Sequence, residues 1–313
     1  MLIKPMLAGM ATYLPGIAAR RARGTGGTDS GRYCYSVWLR HFVMARRNGL
    51  CRTTPRTVVE LGPGDSLGIG LAGLLTGAER YYGLDVVQHS SVEQNLAIFD
   101  ELVALFRNEE DIPGETEFPR VGPRLDSYGF PSHLITRDSL ERLLDDDRIE
   151  EIRSSIVEMH KPGSKVCYVT DSVGAQQIPP QSVDMVISQA VLQYVEPLAD
   201  TYRLMHTWLR PGGFISHQID FTSHGLTEEW DGHWAYSDWQ WKIIRGKRAW
   251  FINRLPHSAY IEALEQTGFR PVVDLEVRTK PEAREQRLAR RFAGLSLEDR
   301  TTRGAFIQAI KRN

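Results

Sequence analysis

Cysteine is scarce in this chain. There are three, Cys34, Cys51 and Cys167, odd in number and widely spaced, with no CxxC pair. That excludes a disulfide framework and a thiolate zinc site, and it fits a reducing, cytoplasmic setting. Long apolar runs are also missing. The first apolar stretch, Met6–Ala19, is broken by Gly9, Pro15 and Gly16, and no later one is long enough to span a bilayer. Neither sign of charge is in excess: 38 Lys and Arg face 39 Asp and Glu, a formal net charge of −1. Such balance argues against a general nucleic-acid binder. With 42% hydrophobic and 25% charged residues, the 313-residue chain is an ordinary globular mixture, so disorder, collagen and coiled coil are poor descriptions.

What is present begins with a basic arm. Met1–Arg23 carries Lys4, Arg20, Arg21 and Arg23 and no acid. An interfacial amphipathic arm, a poor signal peptide and a plain helix packed on the domain all share that composition, and the last is the commonest. Gly24-Thr25-Gly26-Gly27 punctuates the chain, and Tyr33–Arg47 then reads as an amphipathic helix.

Strands and helices alternate from there. Thr57–Leu61 is β-branched and apolar and stops at Gly62-Pro63-Gly64. A helix is expected over Leu67–Leu75, a strand over Arg80–Leu84, and a helix over Glu93–Phe106. Asn108–His133 is rich in Pro, Gly and charge and reads as a surface excursion. Asp138 is placed to cap a helix over Ser139–Met159 or part of it. The run Asp145-Asp146-Asp147 reads as a solvated face rather than a metal site, since consecutive helical residues point apart. Further strands are expected at Lys165–Thr170, Val183–Ser188, Phe214–Ile219, Phe269–Val277 and Ala305–Ile310. Helices are expected at Leu198–Leu209 and His257–Thr267, and a Trp-rich insertion from about Thr222 to Pro256. This order predicts an α/β sheet, mostly parallel.

The strongest chemical signal is Val58–Ser66 followed by Tyr82-Gly83-Leu84-Asp85. A buried strand feeds a glycine turn at the carboxyl edge of the sheet, and Asp85 ends the next strand, where a carboxylate can accept from both ribose hydroxyls. A dinucleotide fold wants GxGxxG, but Leu67 stands where the third glycine belongs. Glu60 ahead of the turn would face a diphosphate unfavourably. A cationic nucleoside without phosphates suits this loop better, and S-adenosylmethionine is one.

Here the chain resembles the class I S-adenosylmethionine-dependent methyltransferases, across roughly Val58–Lys311. The likeness rests on Glu60–Gly64, Leu84-Asp85, Thr170-Asp171, Ser182–Ser188 and Leu209–Gly213, in that order. The long Gln88–Lys161 segment departs from the family pattern, as does Tyr194, where many members carry a His. The resemblance implies a Rossmann-like seven-stranded sheet with helices on both faces and one antiparallel strand near the C-terminus. It implies the methionine moiety over Gly62, Pro63 and Gly64 beside Glu60, the ribose on Asp85, and the adenine near Asp171 and Ser172. Ser188 and Gln189 would lie close to the sulfonium and the incoming substrate.

The acceptor is less legible. Ser188-Gln189-Ala190-Val191 lacks the Pro-Pro-aromatic turn of many base-amine methyltransferases, so nucleic acid is disfavoured again. His217 and Asp220 are the candidate catalytic residues after the fifth strand, although three residues apart on a strand they point to opposite faces. A metal bound by His217, Asp220 and His224 matches no recognised ligand spacing, and none is expected. Trp230, Trp234, Trp239, Trp241 and Trp250 offer either a sugar-stacking platform or the core of a small lid. A looser likeness to bacterial glycan and polysaccharide methyltransferases, through Asn253-Arg254-Leu255 and Gly268-Phe269, points to a sugar hydroxyl.

The expected organisation is an N-terminal extension over 1–56 and a methyltransferase domain over 57–313, with insertions at about 107–160 and 222–256. The expected activity is O-methylation of a sugar or glycan hydroxyl. Methylation of another small molecule, an NAD(P)-dependent oxidoreductase and a non-catalytic S-adenosylmethionine-binding protein are the alternatives.

Overall fold

A computed structural model describes residues 3–13, 27–161, 163–170, 175–248 and 250–312. At its centre lies a seven-stranded sheet: β1 (Thr57–Leu61), β2 (Arg80–Leu84), β3 (Val166–Val169), β4 (Val183–Gln189), β5 (Leu209–Asp220), β6 (Phe269–Arg278) and β7 (Thr302–Lys311), in the order β3-β2-β1-β4-β5-β7-β6. Strands β1 to β5 run parallel, and β7 is antiparallel to both of its neighbours, β5 and β6. This is the Rossmann-like sheet expected from the order of motifs.

The central strands read as continuous apolar runs because both faces are covered. Val58, Met185 and Phe214 face one core with Tyr81 and Val166. Their neighbours Val59, Val186 and Ile215 face a second core with Tyr202, Tyr260 and Leu264. The first core is roofed by α2 (Gly31–Arg47), α3 (Gly68–Leu75), α4 (Val92–Arg107), α5 (Arg137–Leu143) and α6 (Asp146–Val157); α1 is the short helix Ile3–Met10 near the N-terminus. The second is roofed by α7 (Leu198–Trp208) and α9 (His257–Gln266), while α8 (Asp238–Arg245) lies in the Trp-rich insertion and α10 (Leu297–Thr301) precedes β7.

Helix α2 is buried almost all round. Ser30 caps it through the amide of Tyr33, and Cys34, Tyr35, Val37, Trp38 and Phe42 fill the first core. A polar residue inside such a helix must be satisfied. Arg40 is, by the carbonyls of Pro113, Val121 and Pro123. One guanidinium thereby holds the excursion between α4 and α5 against the domain.

The expected helix over Ser139–Met159 is divided in two. Thr136, not Asp138, caps α5, accepting from the Ser139 amide at 3.3 Å. Asp145 then opens α6 by accepting from the Asp147 amide, and Asp146 and Asp147 occupy its first turn. The acidic run serves as a cap with two charges at a favourable helix dipole end.

Candidate functional site

Strand order reverses between β1 and β4, and in open α/β sheets ligands bind outside the carboxyl ends of the strands at such a point. The glycine turn lies there. Gly62 and Gly64 have φ of 64° and 74°. A Cβ on Gly62 would come within 2.6 Å of Val191 Cγ2 on the β4 side, so this position needs glycine for both conformation and space.

The turn is clasped from several directions. Thr28 Oγ1 donates to the Pro63 carbonyl at 2.7 Å and accepts from the Ser66 amide at 3.0 Å. Asp85 Oδ2 accepts from the Gly64 amide at 3.2 Å, and Oδ1 from the Val86 amide at 2.7 Å. The two motifs are thus joined by a hydrogen bond. Asp85 stays partly exposed, with lone pairs left over.

The helix after the turn is closed to a diphosphate. The Leu67 amide is taken by Asn95 Oδ1 at 2.8 Å, the Ser66 amide by Thr28, and the Gly68 amide by Ser66 Oγ at 3.2 Å. Dinucleotide folds leave such amides for the pyrophosphate. Here side chains already fill them.

Glu60 differs from its expected posture. It is 1% exposed, packed beneath the turn, and its Oε2 accepts from Tyr81 Oη at 2.6 Å. Burial pushes its pKa up to about 8, against the opposing effect of the Tyr81 hydrogen bond. At neutral pH the group is largely an uncharged acid, so it presents no carboxylate to an approaching ligand.

Ser188 and His217 also lie deeper than expected. Both are completely buried, on the sheet face covered by α7, and Ser188 Oγ bonds to His217 Nδ1 at 2.8 Å. Burial and the nearby His41 lower the His217 pKa to about 3. His217 Nε2 and Tyr202 Oη have no hydrogen-bond partner. An enclosed imidazole of such low basicity is poorly suited to take a proton from an acceptor.

Gln189 remains at the strand end, half-buried. Its Oε1 meets His41 Nε2 at 3.1 Å, and its Nε2 donates to Gln218 Oε1 at 2.6 Å. Gln218 in turn receives the Gly122 amide and donates to the Arg120 carbonyl, so α2, β4, β5 and the excursion meet here. The sequence pattern carried no sign of His41, a buried histidine in an apolar helix, or of Thr28.

At the end of β5, Asp220 keeps a third of its side chain exposed. Its Oδ2 lies 3.8 Å from His224 Nε2, and His224 Nδ1 is 3.1 Å from Tyr194 Oη. His224, with φ of 47°, turns back over the strand end. Burial, with the Asp220 charge, raises the Tyr194 pKa, so its hydroxyl stays protonated. Tyr194 follows by three residues Val191, the residue against Gly62, so the trio is joined to the connection that leaves β4. His217 faces away and does not join Asp220 and His224 around a common ion. Among the described residues the one His, Asp and Glu trio close enough to share an ion is His257, Asp274 and Glu276, and there Arg278 bonds Glu276 at 2.9 Å.

Trp234 and Trp241 are lid core, Trp230 and Trp250 are half-buried, and Trp239 is exposed. Trp234 is 1% exposed and donates to the Arg254 carbonyl, while the Arg254 guanidinium sits 4.4 Å over the Trp241 ring. Asn253 ties the insertion to the main domain through the Leu192 and Val195 carbonyls. Asp171 and Ser172 lie outside the described residues.

These features define a doubly wound α/β fold with a glycine turn and a strand-end aspartate joined at its switch point. Residues 146–216 match the family model described as a methyltransferase domain. No curated protein matches the chain. It is similar in structure to an S-adenosylmethionine-dependent methyltransferase from Mesorhizobium loti, at 17% identity over 87% of this chain and 98% of that one, with a TM-score of 0.38. It is also similar to Haemonchus contortus phosphoethanolamine N-methyltransferase 2, at 14% identity over 98% of this chain and 57% of that one, with a TM-score of 0.42. The match to the methyltransferase-domain model and the strand order agree with the resemblance of the motifs to the class I S-adenosylmethionine-dependent methyltransferases. The family match assigns a methyltransferase domain, with S-adenosylmethionine as its methyl donor.

Proposed function

We propose that this methyltransferase acts on a hydroxyl oxygen of a small acceptor, with a sugar hydroxyl as the first class to test. The observation that carries the proposal is the Tyr194–His224–Asp220 trio at the carboxyl edge of the sheet. Gly62, Pro63 and Gly64 would lie under the methionine moiety, Asp85 would accept from the ribose hydroxyls, and Asp171 and Ser172 would border the adenine. Gln189, fixed by His41 and Gln218, would border the reacting end. Glu60 would act from below by holding the turn. S-adenosylmethionine supplies an electrophilic methyl group on a sulfonium.

With Nδ1–H donated to Tyr194 Oη, His224 presents the Nε2 lone pair and can take the acceptor proton. Asp220 then stabilises the imidazolium that forms. The gap of 3.8 Å between Nε2 and Oδ2 exceeds a direct hydrogen bond. It leaves Nε2 free to meet a hydroxyl. Because Trp234 and Trp241 are interior, support for a sugar rests on this hydroxyl chemistry rather than on a stacking platform.

The experiment supplies methyl-labelled S-adenosylmethionine with panels of free sugars and other hydroxylated small molecules. Label recovered as a base-stable ether supports the proposal. Label confined to amines or base-labile esters, or transferred to none of the panel, overturns the choice of a hydroxyl. Separately, Asp85→Ala is expected to weaken S-adenosylmethionine binding by about 1–3 kcal/mol, the cost of unpaired ligand hydroxyls. Calorimetry with the wild type as reference measures it, and an unchanged affinity would place the ribose elsewhere.

A further inference from the structure

Helix α1 (Ile3–Met10) and the short turn Ala11–Tyr13 that continues it are packed inside out. The side against the domain carries Pro5, Gly9 and Thr12, whereas Lys4, Leu7, Met10 and Tyr13 face outward at a spacing of three. Gly9 fits directly against the backbone of α8: a Cβ there would stand 2.0 Å from the Ile243 carbonyl oxygen. Thr12 Oγ1 donates to the Gly9 carbonyl and accepts from the Lys247 amide. Beside Met6, which packs against the apolar cluster of the insertion, the contact is made by small residues and backbone, and Leu7, Met10 and Tyr13 are left in water.

A packed surface helix normally has the opposite arrangement. Leu7, Met10 and Tyr13 are 54%, 48% and 58% exposed, and Trp239 on α8 is 61% exposed. Trp239 lies one helical turn before Ile243, whose carbonyl meets Gly9, on the helix that α1 packs against. Cations frame these side chains. Lys4, Lys242 and Lys247 are exposed, and Lys247 Nζ sits 5.3 Å over the Tyr13 ring. The nearby carboxylates are already engaged: Asp238 by Arg254 and Glu196 by Arg245. No acid occurs before Asp29, while Arg20, Arg21 and Arg23 add to the basic charge.

We propose that the face formed by α1, Tyr13 and Trp239 docks on an anionic lipid surface. Leu7 and Met10 supply shallow apolar insertion, Trp239 and Tyr13 have the amphipathic rings that favour the headgroup level, and the lysines meet anionic headgroups. A partner protein's apolar groove would not need the cationic frame, and a second copy of this chain would bring like charges together.

The test uses the full chain with two vesicle preparations, phosphatidylcholine alone and phosphatidylcholine with about one-third phosphatidylglycerol. Co-sedimentation is expected with the anionic vesicles and not with the neutral ones, and raised salt should reverse it. A Leu7→Ser/Met10→Ser/Tyr13→Ser protein is expected to bind roughly tenfold more weakly, with an unchanged melting temperature because the three side chains are exposed. Brominated lipid should quench part of the tryptophan emission, and Trp239→Phe should remove that part. Equal binding by wild type and triple variant overturns the proposal. So does failure of the wild type to bind anionic vesicles, or a wild-type dimer that the triple variant abolishes without any vesicle binding.

Discussion

A His224→Ala protein is expected to lose two to four orders of magnitude in turnover, the usual contribution of a positioned general base. Its affinity for S-adenosylmethionine should be unchanged, because His224 lies on the acceptor side, at the end of β5, away from the Asp85 edge. The expectation follows from the pairing of Nδ1 with Tyr194 Oη and of Nε2 with the Asp220 side. Single-turnover transfer of labelled methyl to an acceptor found by the panel measures the first part, and calorimetry the second. Tyr194→Phe keeps the ring but removes the hydroxyl that fixes the imidazole, so a smaller loss is expected. Turnover within threefold of the wild type in His224→Ala would remove the general-base role.

Glu60→Gln is expected to change how stability depends on pH. The folded-state pKa of about 8 stands above the ordinary value of 4.5, so between those values the folded protein holds a proton that the unfolded chain has lost. The contribution of Glu60 is therefore fully present below about pH 4.5 and is lost as pH rises through 8. At roughly 1.4 kcal/mol per pKa unit, the difference approaches about 5 kcal/mol at the upper end. Glutamine still accepts from Tyr81 Oη but does not titrate. Denaturant unfolding at pH 5, 6.5 and 8 is expected to show the variant gaining on the wild type as pH rises. Parallel profiles would mean that Glu60 keeps its charge when buried.

The framework was legible wherever a single physical rule dominates. Thr57–Leu61 and Arg80–Leu84 are short β-branched or aromatic runs ended by glycine or aspartate, and the strands have those bounds. The antiparallel strand near the C-terminus is β7, wedged between β5 and β6. Other features depend on partners far away in sequence. The alternation along β5 could show that His217 and Asp220 part company, but not that α7 would bury His217 and leave Asp220 at an open edge. His224 lies in a loop, and its pairing with Tyr194 spans 30 residues that share no periodic pattern. Asp138 was a reasonable cap on chemistry alone, while Asp145 read as part of a solvated face. Thr136 prevailed for the first helix, and Asp145 began a second where one was expected. The tryptophans illustrate the same limit: their number fits a ligand platform or a lid core equally well, and only the placement of Arg254 among them distinguishes the two.

The last strand has a consequence for synthesis of the protein. β7 separates β5 from β6, and Gln308 within it donates to the His41 carbonyl across 267 residues of chain. Helix α2 and the strand ends beside it therefore lack part of their hydrogen bonding until Thr302–Lys311 has emerged from the ribosome. Contacts of such long range form late and slow folding. The nascent domain must keep an incomplete sheet, with the β5 edge uncovered, until β7 has been made, and during that interval pairing with another chain competes with closure.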